Sequence, residues 1–227
     1  ICRQAREHTQ SKDELIARVF RQVKRILVVA TDYGFDRNLW QNYLTFLLMT
    51  DENPFSLTCE KTGAQEGSVN YFAKQDFNAF RELFHYDFRW LEEELSVDCF
   101  SRLTHYKAIG KPELMYNRNV SEKVRALSEK LDAALDEESF FDCVTGFYRD
   151  FGVGMFGLNK AFRIASSEGG RVVFHAINNM DRVMLSDLVG YEIQKKKLVD
   201  NTRAFVEGRK ANNCLLFGDS GTGKSTS

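Results

Sequence analysis

Apolar residues recur at three- and four-residue intervals through most of the chain up to Phe151. Leu15, Ile16, Val19, Phe20, Val23, Ile26 and Leu27 follow Ser11-Lys-Asp-Glu14, in which the serine and the glutamate three positions on form a helix-starting capping box. Leu39, Trp40, Tyr43, Leu44, Leu47 and Leu48 predict a second helix. Pro54 and the polar stretch 60–70 predict a loop. Asp76 stands where it can cap a third helix carrying Phe77, Phe80, Phe84, Phe88, Leu91 and Leu95. A shorter helical piece is expected over 99–106, ending at Gly110-Lys-Pro112. Residues 121–135 are amphipathic through Val124, Leu127, Leu131 and Leu135, and 138–151 through Phe140, Phe141, Val144, Phe147 and Phe151.

The texture changes after Gly152. Residues 161–165 and 171–177 are short β-prone runs joined by Ser-Ser-Glu-Gly-Gly, which predicts a hairpin. Ser186-Asp187 precedes a helix with Leu198, Thr202 and Phe205 on one face, ending near Gly208. Asn213-Cys-Leu-Leu-Phe217 is short and apolar, as suits a strand buried on both faces of a parallel sheet. The expected organisation is a mainly α N-terminal domain over 1–151, a linker over 152–182 holding the small β-hairpin, and the first helix and strand of an α/β domain over 183–227.

Composition sharpens this picture. The 227 residues include only 2 Pro but 19 Phe, so few helix stops are enforced and the core is filled by flat, bulky side chains. All but Phe174, Phe205 and Phe217 precede residue 165, so the surplus belongs to the helical region. With 31 Lys+Arg against 32 Asp+Glu the formal charge is −1, which argues against a generally nucleic-acid-coating protein. The five cysteines are odd in number and contain no CxxC, so neither a disulfide framework nor a zinc site follows. The longest apolar runs, 26–30 and 46–49, are too short to span a bilayer. No signal peptide is visible, and a reducing cytoplasm is the expected location.

One motif carries chemistry. Gly218-Asp-Ser-Gly221-Thr-Gly223-Lys224-Ser225 fits G-x-x-x-x-G-K-[ST], the Walker A or P-loop pattern, and directly follows the strand expected at 213–217. Glycines permit positive φ and close approach of backbone to phosphate. Successive N–H groups over 219–224 would make an anion nest, and Lys224 would place a point charge on the β- and γ-phosphates. Ser225 Oγ would be a Mg²⁺ ligand. The candidate nucleotide contacts are Gly218, Asp219, Ser220, Gly221, Thr222, Gly223, Lys224, Ser225 and Thr226. A second glycine pattern, Gly152-Val-Gly154-Met-Phe-Gly157, matches a dinucleotide fingerprint but follows a helical pattern rather than a strand. It reads as a helix-terminating loop that lets chain segments pack closely. His85, His105 and His175 read as structural, and Glu92–94 and Lys195–197 as solvated helix faces.

The stretch Ser186-Asp-Leu-Val-Gly190-Tyr-Glu-Ile-Gln-Lys, then Asn201-Thr202, Phe205 and Ala211-Asn-Asn213, running into the P-loop, resembles the start of an AAA+ ATPase module. It is most similar to an uncharacterised bacterial family of predicted AAA+ ATPases, some with a helical N-terminal extension. The likeness covers about 183–225 and is looser upstream. The resemblance implies ATP and Mg²⁺ as cofactors, hydrolysis coupled to remodelling of a protein or nucleic-acid partner, and assembly into homo-oligomers, with no membrane. It also places Val189 and Gly190, and Leu188 beside them, at the adenine pocket. Such a module needs about four more βα units of ~30 residues, which carry its Walker B carboxylates, sensors and arginine finger. No catalytic residue is therefore expected within 1–227, and a chain of this extent is expected to be inactive as an ATPase. The alternatives are a helical interaction or regulatory module with a non-functional P-loop tail, and a P-loop kinase or switch NTPase.

Overall fold

In the computed structural model, Ser11 Oγ accepts the Glu14 N–H at 3.3 Å and begins α1 (Lys12–Tyr33), as the capping box predicts. Described here are residues 5, 11–110, 116–167, 170–177 and 184–224. The chain divides into two compact units, 1–179 and 180–227. The first continues with α2 (Leu39–Thr50), α3 (Pro54–Thr62), α4 (Ser68–Phe84), α5 (Arg89–Leu95), α6 (Cys99–Thr104), α7 (Arg118–Asp132), α8 (Glu137–Phe151) and α9 (Gly154–Leu158). It ends in the expected hairpin, β1 (Phe162–Ser166) antiparallel to β2 (Val172–Ala176), with Ile164 opposite Phe174.

Two helices sit at the centre. α2 packs on α1, α4, α6, α7 and α9, and α8 packs on α3, α4, α7 and α9. A helix contacted from so many directions is apolar on nearly every side, which explains the Leu- and aromatic-rich sequence of α2. The phenylalanine surplus is spent here. Phe140 of α8 is fully buried, with the Phe77 and Phe84 rings of α4 at 6.5 and 5.9 Å. Phe55, Phe77 and Phe141 form an adjoining cluster with centroids 5.9–6.0 Å apart. Such tilted and edge-on pairs add modestly to the burial of the rings themselves.

Several expected boundaries move. Pro54 starts a helix rather than marking a loop. It stands in the first turn of α3, where its missing N–H costs nothing. Asn53 Oδ1 accepts the Ser56 N–H while Ser56 Oγ accepts the Asn53 N–H, both at 2.9 Å. The loop shrinks to 63–67, and α4 begins at Ser68, so Asp76 lies inside a helix and caps nothing. The aromatic stripe from Phe77 to Leu95 is not one helix. α4 stops at Phe84, where Trp40 Nε1 donates to the Leu83 carbonyl at 2.7 Å and Gln41 Nε2 to that of Phe84 at 3.4 Å. Asp87 then accepts the Arg89 N–H at 3.0 Å as α5 begins. α7 starts before Ser121, capped by Asn117, and ends at Asp132, which leaves Leu135 outside it and exposed. Lys111 and Pro112, expected to end the helical piece at 99–106, lie outside the described residues.

The glycine pattern at 152–157 is the close crossing that its position after a helix implied. Gly152 has φ +83°, and a Cβ on Gly157 would collide with the Gly152 carbonyl. Glu92 is more than a solvated face. Its carboxylate accepts the Ser101 N–H at 2.8 Å and so ties α5 to α6. No described helix is long and apolar enough to cross a membrane.

The two phenylalanines Phe140 and Phe20 separate core from surface. Phe140→Ala is expected to cost about 3–5 kcal/mol, because it empties a filled site. Phe20, half exposed although it belongs to the apolar pattern of α1, is expected to tolerate alanine within about 0.5 kcal/mol. Urea unfolding followed by circular dichroism measures both.

Candidate functional site

The second unit holds a 3₁₀ turn (Leu185–Asp187), α10 (Glu192–Val206) and an irregular run into the glycine-rich loop. The Met184 N–H donates to Asp187 Oδ2 at 2.8 Å and closes the turn. The chain then enters α10 through two left-handed residues, Gly190 at φ +84° and Tyr191 at φ +57°. Glycine adopts that conformation freely, whereas a residue with a Cβ is strained there by about 1–2 kcal/mol.

α10 faces inward through Lys195, Leu198, Asn201 and Ala204, a three-residue repeat. The face expected from Leu198, Thr202 and Phe205 is displaced, and Thr202 and Phe205 are exposed. Polar bonding explains the displacement. Lys195 Nζ donates to the Leu188 carbonyl at 2.8 Å and pairs with Glu192 at 2.7 Å, so this lysine is not part of a solvated face. Asn201 Nδ2 donates to the Asn212 carbonyl and Asn201 Oδ1 accepts the Asn212 N–H, both at 2.8 Å. One side-chain amide thus pairs with the main chain of residue 212 as a neighbouring strand would. The strand expected at 213–217 is absent, since a ladder needs a second strand and none lies beside it among the described residues. Leu215 and Phe217 are exposed.

The glycine-rich loop runs from Gly218 to Lys224. Gly218, Gly221 and Gly223 all take positive φ, at +149°, +80° and +80°. Lys224 Nζ donates to the Asp219 carbonyl at 2.5 Å and lies 3.3 Å from Thr222 Oγ1, which donates to the same carbonyl at 2.8 Å. Leu188 packs on Gly223, where an added Cβ would come within 2.9 Å of Leu188 Cδ2. A cavity of about 710 Å³ is lined by Asp187, Leu188, Val189 and Tyr191 on one part and by residues 220–224 on the other. That volume falls within the range of small-molecule sites.

The structure therefore brings Val189 and Leu188 together with Ser220, Gly221, Thr222, Gly223 and Lys224. Gly218 and Asp219 line an adjoining cavity against Leu198 of α10. Gly190 shapes the turn without lining either cavity. Ser225 and Thr226 lie outside the described residues, so the expected magnesium ligand has no described position. Among the described residues no group of His, Cys, Asp and Glu could hold a metal ion. Tyr191 lines both cavities and Lys195 the adjoining one, and the motif pattern names neither residue. The signal for Tyr191 was its place between a glycine and a helix start that lacks any other cap.

A family model described as a protein of unknown function (DUF815) matches residues 158–227, which take in β1, β2 and this second unit. The match agrees with the resemblance to an uncharacterised family. No curated protein and no solved structure matches the chain.

Asn201→Ala is expected to release the main chain at 212. Amide exchange at Asn212 should accelerate by at least about tenfold, with the amides of α10 protected as before. Hydrogen exchange resolved by NMR reads both.

Proposed function

We propose that the second unit is the nucleotide-binding edge of an AAA+-type P-loop ATPase, binding ATP with Mg²⁺. In this reading hydrolysis remodels a protein or nucleic-acid partner that the helical unit engages. The observation that carries the reading is the shared cavity. Leu188, Val189 and Tyr191 lie about thirty residues from the glycine loop in sequence, yet both segments line one space. The donor chemistry fits a polyphosphate. Three glycines at positive φ leave the loop open to an anion, and Lys224 adds a cation beside it. When bound, Mg²⁺ would neutralise phosphate charge, and the residue offered for it is Ser225. Lys224 binds and orients the phosphates, and Leu188 and Val189 exclude water from the apolar part of the nucleotide.

Calorimetric titration of ATP·Mg²⁺ into the protein and into Lys224→Ala tests this. The wild type is expected to bind, and the variant to lose about tenfold or more in affinity, as suits removal of a charge-assisted contact. Absence of binding in both would overturn the ATPase reading and favour the helical interaction module.

A further inference from the structure

We propose that Tyr191 recognises the base of the nucleotide, its ring stacking on a purine while residues 220–224 hold the phosphates. This rests on the phosphate-site reading above and names the specificity element of the same site. Tyr191 lines the cavity together with Leu188 and Val189, so its apolar lining residues are one aromatic and two aliphatic ones, and Tyr191 also lines the adjoining cavity. Residues 220–224 supply the polar part. An aromatic face and a cationic, glycine-rich loop in one cavity are the two recognition elements that a nucleotide presents partners for.

The backbone singles out the same residue. Three non-glycine residues take positive φ among the described residues: Arg37, Ser96 and Tyr191. Arg37 does so within a reciprocal main-chain pair with Tyr106, at 2.9 and 2.8 Å. Ser96 does so as the residue that ends α5, its N–H bonded to the carbonyls of α5. Tyr191 precedes α10 with no side-chain capping bond, at a position where glycine or asparagine would sit with less strain. Strain of this kind at a cavity wall marks a residue kept for its side chain. The ring is also reachable, with Tyr191 55% exposed. Its mounting is held from below, because Lys195 Nζ bonds the Leu188 carbonyl three residues earlier. Stacking favours the larger ring system, so ATP and GTP are expected to bind more tightly than CTP and UTP.

Two variants separate the ring from the backbone. Tyr191→Gly retains the left-handed conformation and removes the ring, whereas Tyr191→Phe retains the ring. Each is titrated calorimetrically in Mg²⁺ with ATP and with inorganic tripolyphosphate, which has phosphates but no base. Tyr191→Gly is expected to weaken ATP about ten- to a hundredfold and to leave tripolyphosphate within about twofold, with Tyr191→Phe close to wild type. Equal losses for ATP and tripolyphosphate, or no loss for ATP, would overturn the stacking role. A wild type that binds tripolyphosphate as tightly as ATP would overturn it too, while the phosphate site stands. A wild type that binds neither would remove the phosphate site and this role with it.

Discussion

The carbonyl groups at helix ends govern how this chain is assembled. Each helix leaves its last four carbonyls without an intrahelical donor, and burying one unpaired costs about 1–3 kcal/mol. In the first unit the missing donors come from neighbouring helices. Trp40 and Gln41 of α2 meet the end of α4. Tyr148 of α8 donates to Leu48 of α2 at 2.7 Å, and its burial raises the phenol pKa so that the donor proton stays in place. Asn119 and Lys123 of α7 donate to Leu158 and Gly157 of α9 at 2.7 and 2.6 Å. The phenylalanine core supplies the drive to collapse, but ring contacts tolerate sliding. The directional bonds at helix ends do not, and they set which turn of one helix meets which turn of the next.

The second unit uses the same device with far less core. Ala204 is the buried residue of α10, and its inward face is completed by Lys195 and Asn201, both bonded to main-chain groups of other segments. The lysine holds the stretch before α10 and the asparagine holds the stretch after it. A single helix thereby holds the chain on either side of it, at Leu188 and at Asn212.

What the residue pattern revealed, and what it hid, follows from the same physics. The Ser11–Glu14 cap, the hairpin and the glycine spacing at 218–224 were legible because each depends on residues adjacent in sequence. Pro54 misled because a proline marks a helix start as readily as a stop, and the deciding residue was Asn53. The stripe from Phe77 to Leu95 keeps helical period across the break at His85–Asp87, and the break is made by Trp40 and Gln41, more than forty positions away. The inward face of α10 was misplaced because Lys195 and Asn201 look solvent-seeking by type. Their partners are carbonyls and an N–H that no side-chain pattern records. The wall formed by Leu188, Val189 and Tyr191 was legible in part through the Val-Gly resemblance, and Tyr191 emerged only once its backbone angle and cavity were known.

If the loop binds phosphate as proposed, the hydrogen bond from Lys224 to the Asp219 carbonyl would act as a filter. An anion entering it does not meet a bare cation. It must draw the ammonium from an acceptor that already satisfies it and return that carbonyl to water. A multiply charged oxyanion gains several bonds at once, from the ammonium and from the loop N–H groups together. In that reading the internal hydrogen bond would set a threshold of charge below which the lysine keeps its carbonyl partner.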